Sequence, residues 1–236
     1  MKYIRKRGAP HRYAQWCTSV AGTAKADFRE LPKQEKQNLL NALIAEQGAL
    51  CAYTMRRIDE GASHVEHIKP QTRCRADLLG SDLDYGNLVA CYPRDGMARR
   101  CRYGAQEKGG WWENNGKPFV SPLHPVCEKR FRFDIDGQIA AVNNHEDAVM
   151  TIEVLALDHF SLTEDRKRVI GEFLFGPDGS SPLTSAQANQ AAAAICEPDG
   201  HGYFREFCVA IRGALVEHLK LLNRLKQKKK AIRRRK

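Results

Sequence analysis

Nowhere does this 236-residue chain hold an apolar run long enough to cross a bilayer, and its opening MKYIRKRGAPHRY lacks the apolar segment of a secretory signal. Those two absences argue against a membrane-spanning or exported protein and lead to the expectation of a cytoplasmic one. They also govern the reading of its eight cysteines, Cys17, Cys51, Cys74, Cys91, Cys101, Cys127, Cys196 and Cys208. Without an export signal, such cysteines point to metal ligation or buried thiols rather than to disulfides. No internal repeat is visible. No lipidation signal or apolar anchor accompanies the basic C-terminal end, so a membrane partner is not expected.

An excess of acidic charge is missing too. The formal net charge is +10, with 38 Lys and Arg against 28 Asp and Glu. Residues 226–236 (KQKKKAIRRRK) carry eight of the basic groups, and the rest of the chain is nearly neutral. The tail is therefore a separate electrostatic device. Lys228, Lys229, Lys230, Arg233, Arg234 and Arg235 suit a phosphate backbone, which such a run attracts by counterion release without reading sequence.

A length of 236 residues and a hydrophobic share of 42% give ample material for a packed core. After an irregular arm, residues 1–34, the pattern of Leu39, Leu40, Leu43 and Ile44 predicts a helix over 33–47, stopped by Gly48. Residues 49–70 read as short strands, and 71–118 as loop-dominated with one short helix. Phe131–Ile135 and Gln138–Val142 flank Asp136-Gly137 as a β-hairpin. Beyond it come a helix over 147–157, one opened by a Ser161–Glu164 capping box and running to Phe175, an Ala-rich one over 184–195, and a last one from Tyr203. The organisation is thus an arm (1–34), a compact module (35–120), a hairpin connection (121–145), a helical lobe (146–225) and the basic tail (226–236). Trp111-Trp112 could stack on bases but reads better as packing, and His124 and Cys127 as a turn histidine and a buried thiol.

The densest chemistry lies in Ser63-His64-Val65-Glu66-His67-Ile68-Lys69-Pro70. On a strand, His64 and Glu66 share a face and His67 points away or off the strand end. A carboxylate that can hold a divalent ion beside an imidazole that can deprotonate water is what a metal-assisted hydrolase needs. Cys51 precedes this run, and Cys91 and Cys101 follow it. They supply three thiols for a zinc site, with Cys74 open as the fourth.

LCAYTMRRI, SHVEHIKP, DYGNLVAC and RCRYGAQEKG together resemble the HNH endonuclease superfamily, and within it the HNH subunit (PtuB-type) of Septu and retron-associated antiphage defence systems. Most of residues 1–175 take part in the likeness. The resemblance implies an α+β fold: a small ββα-metal core with zinc-knuckle-like cysteines, followed by a mainly helical C-terminal lobe. It implies that His67 is the general base, that Glu66 binds a catalytic Mg²⁺ or Mn²⁺ with His64 as a further candidate ligand, and that Asn87 bridges backbone to hold His67. It further implies structural Zn²⁺, an SMC/ABC-type ATPase partner, a retron reverse transcriptase with its DNA as another, and a nucleic-acid substrate.

The sequence departs from that pattern at two places. Thr54 stands where the second knuckle cysteine would be, and the third HNH position has no clear counterpart. Gln106, Glu107, Lys108 and Asp95 are candidates for it, as is His64. These departures keep a second expectation beside the nuclease: a zinc-stabilised nucleic-acid-binding or scaffold subunit that has lost catalysis.

Overall fold

The computed structural model describes residues 1–96 and 101–233. In chain order its principal elements are α1 (His11–Val20), α2 (Lys33–Glu46), β1 (His64–His67), α3 (Gln71–Asp77), β2 (Leu88–Cys91), α4 (Ala105–Lys108), β3 (Phe131–Phe133), β4 (Ile139–Ala141), α5 (Glu146–Val154), α6 (Phe160–Phe175), α7 (Ser185–Ala194) and α8 (Cys208–Arg233). The fold is α+β, with two separate two-stranded antiparallel sheets among helices. No described helix is long and apolar enough to cross a membrane.

Apolar spacing places α2 across the first sheet. It buries Leu39, Leu40 and Leu43 against β1 and β2, whose four Leu88–Cys91 side chains are all buried. At its end Gly48 takes a left-handed φ of 59°, and a Cβ there would meet the Phe204 ring at 2.4 Å. The glycine therefore serves both the reversal and a close approach. The backbone 48–55 is tied to the C-terminal half through Phe204 N donating to Gly48 O (3.0 Å) and Phe207 N donating to Met55 O (3.1 Å). In α8, Cys208, Val209, Ala210, Ile211, Ala214 and Leu215 are buried, and the helix packs on α6, α7 and β3. Buried side chains of both halves join one connected core.

Three local expectations are revised. A helix, α1, forms inside the arm expected to be irregular, burying only Tyr13 and Val20, which is too sparse a stripe to show as periodicity. α6 is capped by His159, whose side chain accepts from Ser161 N; the capping box lies instead at Thr184–Gln187 before α7. The last helix starts at Cys208 rather than near Tyr203. Asp199 Oδ1 draws the amides of His201 and Tyr203 into a turn, and Phe207 adopts a φ of 53°. α8 then continues through 226–233, so the basic run starts as helix; Arg234 and Arg235 lie outside the described residues.

Candidate active site

The site is built on β1 and β2, paired antiparallel with His64 opposite Cys91, Val65 opposite Ala90, Glu66 opposite Val89 and His67 opposite Leu88. Alternation puts His64 and Glu66 on one side, as the sequence predicts. The strands are joined by residues 68–87, a connection long enough to fold back over the end of β1.

That connection fixes His67. Its Nε2 lies 2.9 Å from the backbone oxygen of Asp82, and Phe28 meets the ring edge-on at 4.8 Å. A carbonyl can only accept, so Nε2 carries the proton and Nδ1 keeps its lone pair in the neutral ring. Nδ1 has no hydrogen bond among the described residues. The residue is 7% exposed, and burial holds its pKa below the ordinary imidazole value. At neutral pH the ring is thus an uncharged base with one fixed tautomer.

Asn87 secures the next peptide. Its Oδ1 accepts from Lys69 N (2.8 Å), and its Nδ2 donates to Lys69 O (2.9 Å) and to Cys74 Sγ (3.4 Å). Asn87 O also accepts from Ile68 N at 3.0 Å. The chain leaving His67 is therefore held at both backbone groups of one residue, Lys69, with Ile68 N bound to the backbone of Asn87.

Glu66 and His64 form the second half of the site. His64 Nδ1 donates to Pro93 O (2.5 Å), leaving the Nε2 lone pair 3.8 Å from Glu66 Oε2. The two atoms face each other as a long ion pair; burial opposes the imidazolium, but Glu66, Asp95 and the Pro93 carbonyl outweigh it and raise the His64 pKa. An oxygen and an imidazole nitrogen at that spacing can share one small divalent ion, whose other positions water would fill, so the donor set fits such an ion. Burial opposes the Glu66 charge, but His64 and Lys108 outweigh it and hold the carboxyl below its usual range. Among the described residues there is no group of three or more His, Cys, Asp or Glu side chains arranged for a metal.

The other oxygen of Glu66 belongs to Lys108. Its Nζ lies 2.8 Å from Oε1 and 3.2 Å from His67 O, on a side chain 1% exposed. Of the candidates for the third position, Gln106 instead accepts from Cys101 N (2.7 Å), Glu107 is exposed, and Asp95 is exposed but close enough to His64 to favour its protonated form. Lys108 is the α4 residue that reaches the site.

The four cysteines do not assemble as one zinc site. Cys51 and Cys91 are buried side by side. Burial opposes ionisation of Cys51, yet donors from Cys91, Thr54 and the Tyr92 amide bring its pKa down to about 6, while Cys91 is raised by burial and by Cys51. Thr54, at the position of the absent knuckle cysteine, thus supports a thiol by hydrogen bonding. Cys101 turns its Sγ to Tyr103 O (3.5 Å), and Cys74 lies with Asn87, its Sγ donating to Lys69 O at 3.4 Å. Fourfold ligation by this set does not fit the arrangement. Elsewhere Trp111 packs on Phe119, His124 accepts from Val126 N, and Cys127 is buried, each in the structural role expected of it.

Two participants escaped sequence reasoning. Asp82 contributes through its backbone oxygen, which no side-chain pattern reveals; its own carboxylate is buried and accepts from Phe28 N and Gln71 Nε2. Phe28 sits in the arm, remote in sequence. No protein-family profile matches the chain. Over 147 residues it is 25% identical to a protein of Vibrio cholerae serotype O1 biovar El Tor described as "Retron Vc95 putative HNH endonuclease", covering 59% of this chain and 67% of that one. The similarity supports a relationship to HNH nucleases at the level of the superfamily.

Proposed function

We propose that this protein is a metal-dependent HNH endonuclease that hydrolyses nucleic-acid phosphodiester bonds and serves as the effector of a Septu- or retron-type defence complex. The observation that carries the reading is the His67 arrangement: Nε2 committed to Asp82 O, Nδ1 without a hydrogen bond among the described residues, and Lys69 beyond it held at both backbone groups by Asn87. His67 Nδ1 takes the proton from an attacking water, and Asp82 O stabilises the imidazolium that forms. Asn87 keeps the base in line by fixing the peptide bond beyond it. Glu66 and His64 would hold the divalent ion, Mg²⁺ or Mn²⁺, which supplies charge stabilisation for the phosphorane and the leaving oxygen.

The partners follow the same resemblance: an SMC/ABC-type ATPase that gates the nuclease, and a retron reverse transcriptase with its DNA. Support for the setting is the similarity to the Vibrio protein, whose description contains both words, retron and HNH endonuclease. A cytoplasmic location accords with an intracellular nucleic-acid target. The basic end of α8, Lys228 onward, would lie along phosphates, and deleting 226–236 is expected to lower affinity and flatten its salt dependence without abolishing chemistry.

The deciding assay incubates the purified protein, with and without the ATPase, with DNA and tRNA in Mg²⁺ or Mn²⁺. Cleavage that His67→Ala removes supports the nuclease. Binding without cleavage under every condition would instead select the catalytically degenerate binding subunit, a reading favoured by the pairing of Glu66 with Lys108 and by the dispersed cysteines.

A further inference from the structure

The donor set at Glu66 already contains a cation. Lys108 comes from α4, a single turn between Gly104 (φ 72°) and Gly109 (φ 49°), and Gly104 N donates to Leu155 O at 2.7 Å, which anchors that turn beside the end of α5. Its ammonium takes Oε1 of Glu66 and the His67 carbonyl oxygen, and Oε2 is left facing His64. The two carboxylate oxygens are thus divided between a buried ammonium and a largely buried imidazole. With the lysine side chain 1% exposed, little water screens its field from Glu66.

We infer that Lys108 is a built-in counter-cation that weakens divalent-ion binding at Glu66 and His64, so that the ion loads fully only when a phosphodiester brings its own negative charge. The inference rests on the nuclease reading of the site. The physics is that of two positive charges sharing one carboxylate: the lysine neutralises much of the field that would attract the ion, and the arriving phosphate restores it. Lys108 is a positioning residue here. Its ammonium is committed to Glu66 and to the His67 carbonyl, and it acts through the carboxylate that it holds. Such an arrangement suits a nuclease whose unprompted activity would injure its host, because the resting site discriminates against its own cofactor.

The test is Mn²⁺ binding by the full chain, read from the electron paramagnetic resonance signal of the free ion, without substrate. Lys108→Met is expected to tighten binding at least tenfold over the unsubstituted protein, and Lys108→Arg to stay within about threefold of it. In the unsubstituted protein, a phosphorothioate dinucleotide should tighten Mn²⁺ binding by a similar factor, and in Lys108→Met by much less. Equal or weaker binding by Lys108→Met overturns the inference. Glu66→Gln separates the two levels: if it binds Mn²⁺ as the unsubstituted protein does, the assignment of the ion to Glu66 fails. If it abolishes binding while Lys108→Met does not tighten it, only the role of the lysine fails. Should Lys108→Met not fold, Lys108→Gln takes its place, with at least threefold tightening expected. Unfolding of both would overturn the inference in favour of a purely structural lysine.

Discussion

The molecule contains two small antiparallel hairpins, and they are built for opposite ends. β3 and β4 pair Phe131 with Ala141, Arg132 with Ala140 and Phe133 with Ile139, and they are closed by a short turn. There Asp134 Oδ1 accepts from Asp136 N and Gln138 N, and Gly137 takes a φ of 76°. Arg166 is buried against this turn and spends two of its donors on it and on α6, Nε to Gly137 O (2.7 Å) and Nη2 to Thr163 Oγ1 (3.0 Å). β1 and β2 are closed by twenty residues, 68–87, and among the described residues His67 Nδ1 and the buried Asp82 Oδ1 have no hydrogen bond, while Glu66 Oε2 and His64 Nε2 hold only a long contact with each other. Satisfied buried polar groups fix a structure, whereas unsatisfied ones cost stability and survive where chemistry needs them. The second hairpin holds the fold; the first is where the proposed reaction would lie.

The contrast is broken most sharply by exchanging the kind of damage. His67→Ala is expected to lower cleavage about 10²–10⁴-fold, the usual worth of a general base, and to change stability by no more than about 1 kcal/mol. Paired kinetics and urea unfolding check both halves. Gly137→Ala should do the reverse. A Cβ there would lie 2.6 Å from Thr163 O and 2.7 Å from Lys167 N at a left-handed φ, so neither backbone nor turn can yield cheaply. A loss of about 3 kcal/mol is expected, with kcat of the folded fraction unchanged. If Gly137→Ala reduces kcat as strongly as His67→Ala does, the division between the hairpins is wrong.

Asn87 tests the clamp with a smaller effect. Asn87→Ala loses both bonds to the Lys69 peptide, and about 1–2 kcal/mol of stability with a tenfold or greater fall in kcat is expected. Asn87→Asp keeps an acceptor for Lys69 N but sets a carboxylate against Lys69 O, so it should recover stability only in part. A variant that loses kcat with no change in stability would place Asn87 on the substrate rather than on the backbone.

How far the sequence reached follows the same physics. α2 and the Asp136-Gly137 hairpin were legible because one periodic apolar stripe and one turn dipeptide each decide a local structure. His67, Glu66 and Asn87 were legible as a set because the resemblance names side chains. Asp82 was not, because its contribution is a backbone oxygen, and its carboxylate is unremarkable among the acidic residues of a loop. Lys108 is one of five candidates for one position. Only the turn of α4 between two glycines shows that it, and not Gln106 or Glu107, reaches Glu66. The cysteines misled in the opposite sense: their spacing suggests common ligation, but among the described residues no three of them group for a metal, and Cys74 and Cys101 spend their thiols on the Lys69 and Tyr103 carbonyls.

The smallest expected effect sharpens the structural side of the comparison. Glu128, in the turn that leads into β3, ties three parts of the molecule: Oε1 accepts from Lys2 Nζ (2.8 Å) and Tyr3 N (3.1 Å), and Oε2 from Arg212 Nη2 of α8 (2.8 Å). Burial opposes its charge, but these donors outweigh burial and hold its pKa below the ordinary carboxylate value. A carboxyl depressed in the folded state binds protons more readily when unfolded. Its contribution is therefore complete above the unfolded value, about 4.3, and is lost as pH falls below that toward the folded value. Arg212 is partly exposed and screened, so the whole contribution is put on the order of 1 kcal/mol. Glu128→Gln should accordingly unfold more easily than the parent at pH 7 and show a shallower loss of stability between about pH 4 and 2. Thermal unfolding at stepped pH measures this directly. The same two proteins at pH 7 should cleave with equal kcat, since Glu128 touches only the arm, the approach to β3 and α8; an unequal kcat would mean that the structural hairpin reaches into the reaction after all.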